Sequence, residues 1–147
     1  MNSAVVVDAS LVVKWLVLEV HSDKAYELAR SWVSTGVRPM APHLMPVEAA
    51  NALYRRAQRK DISAEASEKL LDGLLSAGIE LVTPQGLYQR ALALASRLGL
   101  SAVYDACYLA LADMLDCDLW TADERLCRSV GLRFPRVKWV GQFQSGV

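Results

Sequence analysis

The spacing of apolar positions along the chain switches repeatedly between two periods, which predicts short buried strands separated by amphipathic helices. Residues 4–7 form a continuous apolar run of the kind found in a strand buried on both faces. Ser10 is placed to cap a helix reaching about residue 18. A second helix covers residues 22–34 and stops at Gly36. A short extended piece at 38–41, set off by Pro39 and Pro42, precedes a long helix over about 44–60. Pro46 is tolerated in that helix's first turn, and Val47, Ala50, Leu53, Tyr54 and Ala57 form its predicted apolar stripe. Ser63 caps a helix over 64–77 that ends at Gly78, followed by a strand at 79–82. Pro84 opens a helix over 85–98, Gly99 breaks it, and Ser101 is expected to cap the next, at about 102–116. A strand at 118–121, a short helix at 122–130 and a last strand at 137–140 complete the order. The Gly- and Ser-containing tail is expected to fray.

Strands alternating with helices imply a parallel sheet with helices on both faces. No internal repeat or long linker divides the chain, so residues 1–147 read as one α/β domain. The length and the 53% hydrophobic content suffice for a real core. Sixteen basic residues balance sixteen acidic ones, so attraction to nucleic acid must come from local patches. Asp8 and Lys14 interrupt the apolar N-terminal stretch, and no basic leader or cleavage site is visible; a cytoplasmic protein without a membrane anchor is expected. Cys107, Cys117 and Cys127 lack paired spacing, and His21 and His43 are isolated, a pattern that argues against zinc. Cys107, in a strongly apolar helix, reads as a small buried hydrophobe.

Four carboxylates supply the candidate chemistry. Asp8 ends the first strand, and in an open parallel sheet the carboxyl ends of the strands border the ligand crevice. Glu48 sits early in the long helix, on a face shared with Asn51 and Arg55. Asp105 lies in a helix apolar almost all round, where a carboxylate is costly unless paired or metal-bound. Asp123 begins a helix just after the 118–121 strand, with the Thr121 hydroxyl at the same rim. Each has an ordinary structural account as a cap or first-turn acid. Several acids meeting at one crevice repel one another and stay ionised there only if cations neutralise them, which suggests Mg²⁺ or Mn²⁺.

In order and spacing, four segments resemble the PIN-domain nucleases, and among them the VapC-like toxins of toxin–antitoxin pairs. They are Val5-Val6-Val7-Asp8-Ala9-Ser10, Val47-Glu48-Ala49-Ala50-Asn51-Ala52-Leu53, Tyr104-Asp105 with the apolar run to Ala112, and Leu119-Trp120-Thr121-Ala122-Asp123-Glu124-Arg125-Leu126. The resemblance implies a Rossmann-like parallel sheet and an endoribonuclease that uses Mg²⁺ or Mn²⁺. It implies Asp8, Glu48, Asp105 and Asp123 as catalytic and metal-binding residues, with Thr121, Asn51 and Ser10 in support. On this reading Asp8 and Asp105 hold the central ion, Glu48 acts through water, and Asp123 helps a second, weaker ion. The resemblance also implies a homodimer and a small antitoxin whose C-terminal segment reaches the acids.

RNA would need local positive charge. Arg125, Arg128 and Arg133, followed by Arg136 and Lys138, lie close in sequence to Asp123 and are the expected phosphate contacts. Arg55, Arg56, Arg59 and Lys60 read instead as compensation for the dipole at a helix end. Two rival functions remain: a non-catalytic RNA-binding scaffold, and a phosphatase-like domain using Asp8 as covalent nucleophile. Ser10 stands where the latter would want a second Asp.

Overall fold

The computed structural model describes residues 3–145. The last two residues of the tail expected to fray lie outside that range. Five strands make one parallel sheet: β1 (Ser3–Val7), β2 (Val37–Ala41), β3 (Glu80–Leu81), β4 (Leu119–Thr121) and β5 (Val137–Trp139). Their order is β3-β2-β1-β4-β5. Seven helices connect and flank them: α1 (Ala9–Leu16), α2 (Ser22–Thr35), α3 (Met45–Gln58), α4 (Ala64–Leu75), α5 (Leu87–Leu98), α6 (Val103–Leu115) and α7 (Glu124–Val130). The single α/β domain read from the sequence is the architecture observed.

The strand order fixes where a ligand can sit. The chain leaves β1 toward β2 and β3 on one side, then returns to place β4 and β5 on the other. The two winding directions part between the carboxyl ends of β1 and β4, the place where open α/β sheets form their crevice. Val6 pairs with Leu119 and Val7 with Trp120 across this junction, so Asp8 and Thr121 emerge side by side.

The apolar pattern explains why the central elements are central. Val5, Val6 and Val7 are all buried, as a middle strand covered on both faces requires. In α6 every residue from Ala106 to Ala112 is buried, whereas Val103, Tyr104 and Asp105 in its first turn are exposed. Asp105 is thus at the open mouth of a buried helix rather than inside it, which corrects the expectation of a carboxylate enclosed by apolar neighbours.

Three local expectations also change. Asp8, not Ser10, caps α1: its side chain accepts the Leu11 N–H, and its extended backbone places it at the cap. Ser101 does not cap α6, because Ala102 holds the extended cap position one residue later and supplies no side-chain acceptor. The stripe expected on α3 is displaced by about one residue. Met45, Ala49 and Leu53 are buried, while Val47 and Tyr54 are 70% and 61% exposed. Gly36 and Gly99, at φ +73° and +66°, do stop their helices as expected.

Candidate active site at the sheet switch point

Asp8 is the most constrained of the four acids. It is 5% exposed, and both of its oxygens are engaged. Oδ1 accepts from the Ser10 hydroxyl at 2.7 Å and from the Leu11 N–H at 3.0 Å, while Oδ2 accepts from the Thr121 hydroxyl. A carboxylate oxygen has about two acceptor positions, so Oδ2 keeps one for a further ligand. Burial pushes the Asp8 carboxyl up to about 6. The three hydrogen bonds resist that rise, and the charge of Asp105 adds to it.

Ser10 and Thr121 stitch the two sides of the switch point together. The Ser10 hydroxyl lies 3.2 Å from Thr121 Oγ1 and accepts the Ala122 N–H at 3.0 Å. Thr121 Oγ1 in turn accepts the Asp123 N–H at 3.0 Å. The ends of β1 and β4 are therefore one hydrogen-bonded unit.

Glu48 reaches this rim from the first turn of α3, its carboxylate fixed by the Tyr108 phenol, which donates to Oε1 at 2.5 Å. Partial burial raises the Glu48 carboxyl, the Tyr108 bond opposes the rise, and Asp105 reinforces it. Asp105 is open to solvent along much of its surface, yet its carboxyl faces the concave rim. Lost hydration raises it first, and the Asp123 carboxylate second. Asp123 caps α7, its Oδ1 accepting from Arg125 N and Leu126 N at 3.0 and 3.2 Å. Asp105 is thus the hub: its charge acts on Asp8 and on Glu48, and it feels Asp123 in return.

Two concavities hold the acids other than Asp8. One, of about 490 Å³, lies between α1 and α3 and is lined by Ser10, Glu48 and Asn51 and, farther along, by Lys14, Arg55, Arg56 and Arg59. The other, of about 270 Å³, holds Asp105, Asp123 and Arg125. Among the described residues no three carboxylates, histidines or cysteines stand close enough to hold a metal ion as they are. The acids therefore do not form a closed cage of ligands. That suits a hard cation which keeps several of its waters and takes only a few carboxylates.

Sequence reasoning gave Tyr108, Lys14 and Cys127 no role here and read Arg56 only as compensation for a helix dipole. Tyr108 carries no charge to mark it, and only its position on α6 opposite α3 reveals its bond to Glu48. Lys14 and Arg56 share Glu19: Lys14 Nζ lies 3.0 Å from Oε1, and Arg56 pairs with Oε2. Burial and the neighbouring Arg56 hold the Lys14 ammonium below its ordinary value. The Cys127 thiol is pushed up to about 11 by burial and then by Asp8 and Asp123, so it stays protonated beside the acids.

The arginines expected to meet RNA fare unevenly. Arg125 is exposed beside Asp123. Arg128 pairs with Glu124 at 3.0 Å. Arg133 donates to the carbonyl oxygens of Arg97, Leu98 and Ser129, which commits its guanidinium to the ends of α5 and α7. Arg136 pairs with Asp116.

Comparison with known proteins decides the lineage. The sequence profile described as PIN domain matches residues 5–131, a span that includes all four acids. The chain belongs to the PIN domain family. A further similarity is to the VapC ribonuclease Mb0985 of Mycobacterium bovis, at 40% identity over 85 residues. Ribonuclease VapC9 of Mycobacterium tuberculosis matches equally well. The match covers 58% of this chain and 65% of those relatives' length. The fold is similar to the crystal structure of PAE2754 from Pyrobaculum aerophilum, with a TM-score of 0.64 and 27% identity over 88% of this chain and 87% of that one. In this PIN domain the acids lie on the two strand ends and two helix starts described above.

Proposed function

We propose that this PIN domain is a metal-dependent endoribonuclease, the toxin of a toxin–antitoxin pair, which hydrolyses RNA with Mg²⁺ or Mn²⁺. The observation that carries the reading is the placing of Asp8 at the end of β1, hydrogen-bonded to Thr121 of the adjacent β4, with Asp123 just beyond β4 and Glu48 fixed by Tyr108. The ribonuclease names of the VapC relatives support it. Asp8 and Asp105 would hold the ion, Asp8 through the remaining position on Oδ2, with Asp123 placed to assist. Bound there, a divalent cation would neutralise charge on the scissile phosphate and make water a better nucleophile. Glu48 Oε1 is fixed by Tyr108, which leaves Oε2 to orient an attacking water and take its proton. Asn51, exposed one turn along α3, is positioned to steady a phosphate oxygen at the same rim.

Asp8 makes a poor covalent nucleophile: it is buried, and its oxygens already accept three hydrogen bonds. The partner reading is supported by the outward Val47 and Tyr54 of α3, apolar positions available to a second copy of the chain or to an antitoxin.

The test is incubation of purified protein with cellular RNA in Mg²⁺, Mn²⁺ or EDTA, beside Asp8→Asn and Asp105→Asn. Cleavage should need metal and vanish in both variants. Metal-dependent cleavage that survives both substitutions would remove the assignment.

A further inference from the structure

The groove between α1 and α3 is the most strongly charged concavity adjoining the acids. Its α3 wall reads Glu48, Asn51 and Ala52, Arg55 and Arg56, then Arg59, one face of the helix followed for three turns. At about 1.5 Å per residue, this wall extends about 16 Å away from Glu48. Lys14 projects from α1 on the opposite side. Four cations thus face only two carboxylates, Glu19 and Glu48, and Glu48 belongs to the acid cluster.

The pairing within the groove leaves positive charge unspent. A single carboxylate, Glu19, serves both Lys14 and Arg56. Arg55 has no ion-pair partner among the described residues. Arg59 meets Asp61 only at the surface, at 3.3 Å, with both side chains well exposed, a contact worth little in water. On the α7 side the basic residues are more dispersed, and none of them lines the groove beside Glu48. Arg133 is committed to backbone carbonyl oxygens and Arg136 is paired with Asp116, while Arg128 has only a surface pair with Glu124 and exposed Arg125 and Lys138 have no ion-pair partner among the described residues.

From this we infer that the α1–α3 groove is the track for the RNA backbone, with Arg55 and Arg59 binding phosphates that flank the one at the acids and the Lys14–Glu19–Arg56 cluster forming its positive floor. The inference rests on the nuclease reading for its choice of RNA as ligand. It moves the main phosphate contacts from α7, where sequence proximity to Asp123 placed them, to the C-terminal half of α3. The groove runs along α3 from Glu48 toward Arg59, so a strand lying in it would present one phosphate to Glu48 and the next ones to the arginines.

The experiment measures binding and cleavage separately. A fluorescein-labelled, mixed-sequence single-stranded RNA is titrated by anisotropy into the full chain carrying Asp105→Asn, which suppresses turnover. The same titration is run with Arg55→Ala/Arg59→Ala, with Arg55→Lys/Arg59→Lys, and with Arg125→Ala/Arg128→Ala added. The α3 alanine pair should raise Kd about tenfold or more and flatten the slope of log K against log salt by about 1. The lysine pair should recover most of the affinity, which a purely structural role for the arginines would not give. The α7 pair should change Kd much less.

Unchanged affinity in the α3 alanine pair, a larger loss in the α7 pair, or no RNA binding by the parent protein would each overturn the inference. So would preferential binding of a labelled oligoglutamate peptide, which would make the groove a site for an acidic protein segment. Cleavage by the unsubstituted chain is read in parallel. Metal-dependent cleavage with an indifferent α3 pair sinks the groove and spares the nuclease. RNA binding that depends on Arg55 and Arg59, without any cleavage, spares the groove and sinks the nuclease.

Discussion

The Tyr108 phenol donates a 2.5 Å hydrogen bond to Glu48 Oε1, joining the buried helix α6 to the first turn of α3. The bond holds a half-buried carboxylate that would otherwise be free to rotate, and it favours the ionised form of that carboxylate. Tyr108→Phe keeps the ring in a site that is 2% exposed while removing the donor. Hydrogen bonds to charged groups contribute about 1.5–3 kcal/mol, so a measurable loss of stability is expected. The effect on the reaction should be larger than a packing change would give: kcat down about tenfold, with the acid limb of the pH–rate profile moved to higher pH. The direction follows from Glu48, whose carboxyl rises further once its donor is gone. A Tyr108→Phe enzyme with an unmoved acid limb would show that Glu48 does not titrate in the reaction.

Asp105 and Asp123 should separate when substituted, because only one of them supports the fold. Asp105 makes no hydrogen bond among the described residues and sits among three other acids. Asp105→Asn should therefore leave the melting temperature unchanged or slightly raised, while reducing metal-dependent cleavage at least a hundredfold. Asp123→Ala strips the cap from α7 and should cost about 1 kcal/mol in chemical denaturation. Asp123→Asn retains an acceptor for Arg125 N and Leu126 N, so its stability should stay near that of the parent. Equal stability losses in the Ala and Asn variants would refute a capping role for Asp123.

Ser10 tests the junction between β1 and β4. Its hydroxyl donates to Asp8 and accepts the Ala122 N–H, so Ser10→Ala leaves a partly buried N–H without its partner and Asp8 with one donor fewer. A loss of about 1–3 kcal/mol is expected from the stranded donor. Ser10→Thr keeps the hydroxyl and should recover part of it. Urea denaturation of the three proteins decides the point, and identical midpoints for the parent and the Ser10→Ala variant would remove this link.

The pattern in the sequence that proved legible was the one set by periodicity. Val5-Val6-Val7 had to be a strand covered on both faces, and Asp8 after it had to lie at a strand end. Ambiguity entered wherever two residues could satisfy one local need. Asp8 and Ser10 are both good caps, and only the approach of Thr121 from a strand more than a hundred residues away assigns their shares. On α3 two faces carry apolar residues. The face with small Ala49 allows close packing inside, and Val47 and Tyr54 are left outside. The Lys14–Glu19–Arg56 cluster was beyond reach for the same reason, since Glu19 and Arg56 meet only when α1 and α3 are packed.

The proposed metal dependence should be visible in stability before any RNA is added. Burial brings the Asp8 carboxyl up to about 6 from an ordinary value of 3.8. Between those values the folded chain holds a proton that the unfolded chain has released. The stabilising contribution of Asp8 should then fall as pH rises through this window and level off above it. Each pKa unit is worth 1.36 kcal/mol, so the loss from Asp8 is on the order of 3 kcal/mol. Glu48 and Asp105, also raised, act in the same direction. A divalent cation binds the ionised carboxylates and should restore most of the loss near pH 7 while doing little near pH 4.5. Urea unfolding in EDTA and in excess Mg²⁺ or Mn²⁺, repeated across pH 4–8, should therefore give two curves that converge at the acidic end. Asp8→Asn should flatten the EDTA curve. A metal-free chain that gains stability from pH 4.5 to 7 would instead mean that the acids are individually well paired, and the case for a shared cation would be lost with it.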